Sequence, residues 1–304
     1  MVERVGWDGT VTTYTVTDVF EEQRPVLMGV AYRMLGRVAD AEDVVQEAWL
    51  RWSGADRDAV REPRAYLVRI TTRLAIDRLR QAQARNEAYV GPWLPEPYPT
   101  DFEATVPDAA ERAVLADSVS LALLVVLESL SPLERAVFVL REAFGYPFAD
   151  IAATLDRSEA AVRQLAGRAR RHVDERRTRY EVDPAQRRDL TERFLAASVE
   201  GDLEGLMRLL APDVQLVGDS GGLAKAPRRA LETADKVGRF LTAVAGQGLP
   251  DMSYRFLEIN GAPALLVLSG GKLDSVFQVE VADGQVQCIY IIRNPEKLAF
   301  LPGH

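Results

Sequence analysis

Residues 38–52 have the sequence VADAEDVVQEAWLRW, and the fold prediction starts from them. The apolar residues recur at steps of three and four, which places them on one face of an α-helix: Ala41, Val44, Val45, Ala48, Trp49 and Trp52. Asp40, Asp43 and Glu47 fall on another face, with Glu42 and Gln46 beside them. Such an acidic face is most often a plain solvated surface, and the alternative is a binding surface for a protein partner.

Helical periodicity also extends upstream of this segment. Residues 18–36 fit a helix with Asp18 as its N-cap and Gly36 at its C-terminal end. Residues 1–17 have few periodic apolar positions and are expected to form a loose leader.

A third helix is predicted downstream, over about 62–85. Pro63 lies in its first turn, where proline is tolerated because the N–H group there has no partner within the helix. Its predicted buried residues are Leu67, Ile70, Leu74 and Leu79, and its arginines lie largely on other faces.

Arginine is concentrated in two segments of an otherwise acidic chain. The net charge is −8, from 37 Lys and Arg against 45 Asp and Glu, yet residues 61–85 and 157–179 are strongly basic. DNA responds to charge within about a Debye length, roughly 8–10 Å, rather than to the charge of the whole molecule. The two segments therefore predict two separate contacts with a polyanion.

The second basic segment belongs to a helix-turn-helix pattern. Ser131, Pro132 and Glu134 form a capping box at the start of a helix over 131–142. Helices over about 147–155 and 158–178 follow, and the second of these has the position of a recognition helix. Its early residues Glu159, Ala160, Arg163 and Gln164, after Ser158, are predicted to face bases, and the residues predicted to hold phosphates are Arg168, Arg170 and Arg171. The alternative is a solvated basic helix on an ordinary helical bundle.

Residues 86–108 interrupt the helices. Five prolines exclude a helix, and the apolar residues among them are more than a flexible linker needs: Trp93, Leu94, Tyr98 and Phe102. The segment is predicted to be extended and to dock on another part of the chain. Helix is predicted again over 109–129.

The sequence changes character after Asp183-Pro184. Two helices are predicted at about 185–200 and 202–210, followed by short alternating segments at 214–217, 252–259, 264–268, 275–281 and 285–292. Turn signals such as Asn260-Gly261 and Asp283-Gly284 separate the later segments. These features predict an α+β domain with a curved antiparallel sheet.

The composition excludes several classes of site. Cys288 is the one cysteine, and the two histidines are His172 and His304. A disulfide, a cysteine- or histidine-based metal site and a histidine-dependent catalytic triad are thereby excluded or nearly so. No catalytic residue, metal or cofactor is predicted. No apolar segment reaches membrane-spanning length and the N-terminus lacks the order of a signal peptide, so no membrane contact and a cytoplasmic location are expected.

Several motifs then resemble one family. Residues 20–22, 31–36, 39–47, 66–70 and 75–80 resemble sigma region two of the extracytoplasmic-function (ECF) RNA polymerase sigma factors, and 109–178 resemble region four. Trp93-Leu94-Pro95-Glu96-Pro97 and Asn294-Pro295-Glu296-Lys297-Leu298 match motifs of the subfamily with a C-terminal SnoaL-like extension. The resemblance implies two all-α helical domains followed by an α+β SnoaL-like (NTF2-like) cone-shaped barrel. The implied organisation is a leader (1–17), region two (18–85), a proline-rich linker (86–108), region four (109–180) and the SnoaL-like domain (185–304).

The resemblance also implies binding partners. RNA polymerase core would contact the acidic helix through the clamp helices of its largest subunit, at Asp40, Glu42, Asp43, Gln46 and Glu47. Promoter DNA would contact the helix over 62–85 at the −10 element, through Arg73, Asp77, Arg78 and Arg80. The helix starting at Ser158 would bind the −35 element as duplex.

The remaining motif residues imply regulation within the chain. The residues involved would be Trp93, Leu94, Pro95, Asp219, Gly221, Gly222, Lys225, Asn294, Pro295 and Lys297. The subfamily has a glycine-rich motif of the form Asp-Gly-Gly-Gly-Lys, and the matching stretch here is residues 219–225. It departs from that form, because Ser220 replaces a glycine and two residues separate Gly222 from Lys225. This departure puts the contact made by the loop in doubt.

Two functions for the whole chain remain open. The favoured one is an alternative sigma factor that is not an enzyme and whose third domain modulates it, with a small ligand in the C-terminal pocket as an open alternative. The other is a SnoaL-type enzyme that carries a helical DNA-binding appendage. Its acid–base groups would have to come from the carboxylates Asp219, Asp235, Asp251 and Glu258.

Overall fold

The structure is a computed structural model that describes residues 2–5, 11–56, 60–86, 89–99, 120–176, 184–248 and 250–301. The chain divides into two compact units. The first unit contains residues 1–84, 102–115 and 130–172, and the second contains 85–101, 116–129 and 173–304. Phe102 of the predicted linker and residues 109–119 of the helix predicted over 109–129 lie outside the described residues.

The first unit begins with a β-hairpin. Strands β1 (Val2–Val5) and β2 (Val11–Tyr14) pair antiparallel, so the predicted loose leader is wrong for these residues. Helix α1 (Val16–Leu35) starts two residues before the predicted cap, with Thr15 as its N-cap. The Thr15 hydroxyl accepts the Asp18 N–H at 3.2 Å and the Asp18 carboxylate accepts the Thr15 N–H at 2.8 Å, a reciprocal capping box. The hydrogen bond that the Thr15 N–H donates to the carboxylate is the main cause that lowers the pKa of Asp18.

The next two helices lie where the sequence predicts them. Gly36 ends α1 in the left-handed conformation at φ 66°, and helix α2 (Val38–Ser53) follows. Helix α3 (Pro63–Asn86) has proline at its first position. Its predicted apolar stripe is confirmed, since the buried side chains include Leu67, Ile70, Leu74 and Leu79.

The remaining helices of the first unit form the helix-turn-helix. Helix α5 (Pro132–Phe138) has the predicted capping box from Ser131 and Glu134. The chain then continues as a π-helical turn (Val139–Ala143), so the predicted α-helix over 131–142 is correct only in its first part. Helices α6 (Phe148–Leu155) and α7 (Glu159–Arg176) follow.

Two buried arginines join α1 to α5 and to Phe144, the residue after the π-helical turn. Arg135 Nε donates to the Arg33 carbonyl at 3.0 Å, and the Arg33 guanidinium lies 5.2 Å from the centre of the Phe144 ring. Gly29 provides space for this arrangement, because a Cβ atom there would lie 2.9 Å from Arg33 Nη1 and 3.2 Å from Phe144 Cζ. The first unit therefore contains a polar contact between α1 and the helix-turn-helix as well as an apolar core.

The second unit is a mixed sheet with helices against it. Helix α4 (Leu121–Leu127), capped by Ser120, precedes in sequence α8 (Pro184–Glu200), α9 (Leu203–Leu209) and α10 (Ala234–Gln247). The strands are β3 (Leu210–Asp219), β4 (Leu231–Glu232), β5 (Met252–Ile259), β6 (Ala262–Ser269), β7 (Lys272–Ala282) and β8 (Gln285–Ile292). A short helix, α11 (Pro295–Leu298), ends the described chain. No helix among the described residues is long and apolar enough to cross a bilayer.

The sheet differs from the prediction in one pairing. Its strand order is β4-β3-β8-β7-β6-β5, and β3 pairs parallel to β8, so the predicted all-antiparallel sheet is wrong there. The sequence also did not predict β4, α10 or α11. β3 and β8 are far apart in sequence, since β4, α10 and β5 to β7 lie between them. A connection of this length allows two strands to pair in parallel, whereas a short hairpin forces them to be antiparallel.

Both faces of this sheet are buried. Ile289 and Ile291 of β8 belong to the apolar cluster that includes residues of α8, α9 and α10. Cys288, Tyr290 and Ile292, which alternate with them, belong to a second cluster with Leu94 and Leu121. Strands β6, β7 and β8 contribute residues to both clusters. Because β6 is covered on both sides, it is almost continuously apolar, which is typical of buried strands.

Replacing Gly29 by alanine should destabilise the chain. The added methyl group must displace Arg33 or Phe144, both held in place by packing, and overpacking of this kind costs about 1–3 kcal/mol. The measurement is the midpoint of urea unfolding. Gly167→Ala on α7 is the matched control, since nothing lies within 4 Å of its added Cβ. That control should be neutral or stabilising, because alanine is the better helix former by about 1 kcal/mol. An equal effect of both substitutions would contradict the packing of Gly29 described here.

Candidate functional site

The acidic face of α2 exposes four of its five predicted partner-binding side chains. Glu42, Asp43, Gln46 and Glu47 are exposed, and the Asp43 side chain has 62% of its surface accessible. Asp40 differs, because only 13% of its side chain is accessible. The exposed groups form a negatively charged surface along the helix, with Asp40 at its covered edge.

The arginines of α3 already have partners in the first unit. Arg78 donates from Nε and Nη2 to Asp40 Oδ1 at 3.2 and 3.1 Å, and from Nη2 to Asp43 Oδ2 at 2.6 Å. Arg73 Nε donates to the Thr154 carbonyl on α6 at 2.8 Å. The fourth candidate, Asp77, pairs with Arg80 at 3.1 Å on the surface. The structure thus places the four predicted −10 residues on one helix and ties two of them to neighbouring helices.

The turn between α6 and α7 has the geometry of a helix-turn-helix. Asp156 adopts the left-handed conformation at φ 54°, which ends α6. Ser158 caps α7, because its hydroxyl accepts the Ala161 N–H at 3.2 Å. All seven predicted −35 side chains are exposed: Ser158, Glu159, Arg163, Gln164, Arg168, Arg170 and Arg171.

Carboxylates of the preceding helices orient two of these arginines. Arg168 donates to Glu134 at 2.8 Å, and Arg170 donates to Glu142 at 2.6 Å. Burial acts to raise the pKa of Glu134, but the hydrogen bonds from Arg168 and Ser131 outweigh it and lower that pKa. Glu134 therefore remains ionised and keeps Arg168 in place at neutral pH.

A buried carboxylate joins the linker to the C-terminal sheet in the second unit. The Asp219 side chain accepts hydrogen bonds from the Tyr89 hydroxyl at 2.5 Å, the Leu94 N–H at 2.7 Å, the Gly221 N–H at 3.2 Å and Lys297 Nζ at 2.6 Å. Lys297 also donates to the Leu94 carbonyl, and Asn294 donates to the Tyr89 hydroxyl at 2.9 Å. We call these residues the Asp219 cluster: Tyr89, Leu94, Asp219, Gly221, Asn294 and Lys297.

The ion pair between Lys297 and Asp219 in this cluster is buried. The side chains of Lys297 and Asp219 are 3% and 0% exposed. The Lys297 ammonium lies 4.0 Å from the centre of the Trp93 ring, a cation–π contact that adds to the pair. Burial and the Asp219 carboxylate raise the pKa of Tyr89, so its hydroxyl stays protonated and remains a donor.

The glycine-rich loop contributes through its backbone. Gly221 and Gly222 have φ of 57° and 78°, and a Cβ atom on Gly221 would lie 2.6 Å from Asn294 Nδ2. One on Gly222 would lie 3.2 Å from Val90 of the linker. The loop therefore keeps its contact with the linker despite Ser220. Lys225 is exposed, and its carbonyl accepts a hydrogen bond from Arg293 at 2.6 Å, so the lysine that enters the cluster is Lys297.

The linker and α4 extend this contact across the sheet. Tyr98 and Asn260 exchange two hydrogen bonds, at 2.8 and 3.0 Å, and Pro99 forms a β-bridge with Ile259. Leu94 and Leu121 are buried in one cluster with residues of β6, β7 and β8. Trp93 and Pro95 flank Leu94, and Pro295 is the first residue of α11 after its cap Asn294. The prediction that the linker docks is confirmed for residues 89–99.

The carboxylates considered for acid–base catalysis do not come together. Asp219 is engaged in the Asp219 cluster. Asp235 pairs with Arg239 on α10 and Glu258 pairs with Arg188, both on the surface, and Asp251 is exposed.

The comparisons with known proteins cover nearly the whole chain. Residues 19–85 match the model for Sigma-70 region 2, and residues 120–173 match that for Sigma-70, region 4. The ECF RNA polymerase sigma factor SigJ of Mycobacterium tuberculosis is 42% identical over 294 residues, 93% of each chain. The chain belongs to the ECF RNA polymerase sigma factors.

Other relatives agree with this assignment. The probable ECF sigma factor SigI of the same organism is 34% identical over 285 residues, covering 93% of this chain and 94% of that one. The crystal structure of M. tuberculosis SigJ superposes with a TM-score of 0.74 at 37% identity, covering 95% of this sigma factor and 100% of that chain. The present chain is accordingly an alternative sigma factor for transcription initiation and not an enzyme. Its fold is two helical sigma regions followed by an α+β domain.

Sequence reasoning missed two parts of the site. Tyr89 of the Asp219 cluster lies outside every motif, although an aromatic residue beside a proline-rich segment was a usable signal. The packing of α4 on the sheet was also missed, because α4 falls within the segment that matches region 4. The near-continuous apolar run in β6 was the signal that the second sheet face is covered.

Replacing Lys297 by methionine should strongly destabilise the second unit. The substitution keeps the length of the side chain but leaves the Asp219 carboxylate buried without its cation, which typically costs about 3–5 kcal/mol. Urea unfolding followed by tryptophan fluorescence measures the loss. Lys225→Met is the control for removing one lysine from the same domain, and should stay within about 0.5 kcal/mol because Lys225 is exposed. A small effect of Lys297→Met would show that the ion pair contributes little.

Proposed function

We propose that this sigma factor binds core polymerase through the exposed carboxylates of α2 and promoter DNA through α3 and α7. We further propose that its C-terminal domain modulates both activities by holding the linker. In this scheme residues 18–85 and 109–180 are the two binding domains, 86–108 connects them, and 185–304 is the regulatory domain. The observation that carries the proposal is the buried Asp219 cluster, which fixes a segment lying between the two binding domains in sequence.

The polymerase contact is assigned to Glu42, Asp43, Gln46 and Glu47. These side chains are exposed on one helix. The opposite, apolar face of that helix is buried and consists of Ala41, Val44, Val45, Ala48 and Trp52. A surface of this charge fits a basic partner such as the clamp helices of the largest polymerase subunit. Binding there should weaken with salt, because the carboxylates are solvated.

The two helices α7 and α3 are proposed to contact different forms of DNA. On α7, Arg163 and Gln164 lie near the N-terminal end, which enters the major groove first in helix-turn-helix proteins, and Arg168, Arg170 and Arg171 lie where phosphates pass. On α3, Arg73, Asp77, Arg78 and Arg80 are proposed to contact the −10 element, where bases must be unstacked to be recognised. In the free protein Arg73 Nε is hydrogen-bonded to the Thr154 carbonyl, so DNA would have to compete for this N–H group or use the other N–H groups of the guanidinium.

The direct test is run-off transcription with core polymerase. Holoenzyme assembled from the full chain should produce transcript from a promoter selected by that holoenzyme, and core polymerase alone should not. If no promoter supports transcript with the full chain or with its C-terminally trimmed form, the proposed function is wrong. A small-molecule ligand is not needed for the proposed control, since the contacts that carry it lie within the chain.

Replacing Arg171 by alanine should weaken binding to all promoter duplexes by a similar factor. Arg171 is an exposed proposed phosphate contact, and losing one such contact should reduce the slope of log affinity against log salt by about 1. Fluorescence anisotropy of a −35 duplex with holoenzyme, at several salt concentrations, measures this. Arg188→Ala removes an equally exposed arginine on α8 and should leave the slope unchanged. A shared loss of slope would point to net charge instead of a phosphate contact.

Replacing Tyr89 by phenylalanine should release the linker more readily. The substitution removes the hydroxyl that donates to Asp219 and accepts from Asn294, but keeps the ring. If the docked linker opposes polymerase binding, the apparent affinity for core polymerase should rise several-fold, since affinity scales with the binding-competent fraction. Titration of labelled sigma factor with core polymerase gives this affinity. Tyr254→Phe is the matched control, because among the described residues the hydroxyl of Tyr254 has one hydrogen-bond partner, the exposed Met252. Unchanged affinity and unchanged transcript with Tyr89→Phe would contradict control by the Asp219 cluster.

A further inference from the structure

We infer that Asp40 is a positioning residue for the −10-contacting Arg78 and not a contact for polymerase. This inference rests on the proposed function of α2 and α3. It separates one carboxylate from a set that the sequence alone treats as uniform.

Burial distinguishes Asp40 from its neighbours on α2. Its side chain is 13% exposed, against 62% for Asp43 and 51% for Glu47. A partner protein can reach Asp43 and Glu47 without rearrangement of α3. Reaching Asp40 would require displacing the Arg78 side chain that covers it.

The geometry shows what Asp40 does instead. Two nitrogens of the Arg78 guanidinium, Nε and Nη2, donate to the same oxygen, Asp40 Oδ1, at 3.2 and 3.1 Å. The other oxygen, Oδ2, lies 3.8 Å from Arg37 Nε at the start of α2. A mostly buried carboxylate is costly unless it is paired, so this pairing should persist when the exposed groups exchange partners. Asp40 therefore fixes both the position and the orientation of the Arg78 guanidinium on α3.

Asp43 has a different relation to the same arginine. It accepts from Arg78 Nη2 at 2.6 Å, but it is exposed and can exchange this bond for a cation on polymerase. When it does so, Arg78 loses one acceptor and is still held by Asp40. Polymerase binding would thus free a guanidinium N–H group towards DNA without releasing the side chain.

The experiment compares Asp40→Asn with Asp43→Asn in holoenzyme made from the full chain. Both variants remove one negative charge from α2. Two quantities are measured for each: the affinity for core polymerase, and the ratio of run-off transcript from a matched −10 element to that from a substituted one. Thermal unfolding of each variant reports whether the fold is retained.

Asp40→Asn is expected to keep core affinity within about twofold and to lower the −10 ratio about tenfold, as for loss of charged hydrogen bonds. Asp43→Asn is expected to lower core affinity. Arg78→Gln should lower the −10 ratio by the same factor as Asp40→Asn. The double variant Asp40→Asn with Arg78→Gln should lower it no further than either single variant, because both substitutions remove the same interaction. Asp40→Glu, which retains a carboxylate, should restore most of the ratio.

Three results would decide against parts of this scheme. If Asp40→Asn lowers core affinity as Asp43→Asn does and leaves the −10 ratio unchanged, Asp40 is a polymerase contact and the inference is wrong, while the proposed function stands. If Arg78→Gln leaves the −10 ratio unchanged, the proposed DNA contact of Arg78 itself fails. If Asp40→Asn unfolds, the double variant Asp40→Asn with Arg78→Gln is measured instead, because it leaves no arginine unpaired at this position. A −10 ratio of the double variant that is lower than the ratio of Arg78→Gln alone overturns the inference.

Discussion

The second unit depends on the hydrogen bonds and the ion pair that the buried carboxylate of Asp219 makes. This carboxylate receives donors from the linker, from its own loop and from α11, so it joins three segments that are far apart in sequence. In a site closed to solvent, each of these groups would be costly to leave unpaired. These groups are therefore satisfied only when all three segments are docked, which is the physical basis of the proposed control of the linker.

This polar site works because an apolar face lies beside it. The outer cluster of the sheet includes Leu94 of the linker and Leu121 of α4 together with side chains of β6, β7 and β8. The linker and α4 cover a face that an isolated sheet would expose to water. Apolar burial favours docking without specifying a geometry, whereas the directional hydrogen bonds of the Asp219 cluster fix the register.

In the first unit, too, charged groups are paired with groups of other segments. Four of the arginines proposed to contact DNA bond carboxylates or carbonyls outside their own helix: Arg78 with Asp40, Arg73 with Thr154, Arg168 with Glu134 and Arg170 with Glu142. These pairs are partly exposed, so each contributes little to stability. They orient the guanidinium groups, and in the proposed complex DNA would compete with these internal acceptors.

The sequence by itself determined the local structure and the family. The helix periods, the Ser131 capping box, the Gly36 stop and the β5 and β8 boundaries follow from short-range rules, since side-chain spacing and capping chemistry act within a few residues. It also predicted, from aromatic residues among prolines, that residues 86–108 dock, and this is confirmed for 89–99. Only the tertiary structure decided the rest: that Asp40 is covered while Asp43 is exposed, that Lys297 rather than Lys225 pairs with Asp219, that β3 runs parallel to β8, and that α4 packs on the sheet. Each of these depends on which distant segments meet, and burial and pairing across such distances leave no periodic mark in the chain.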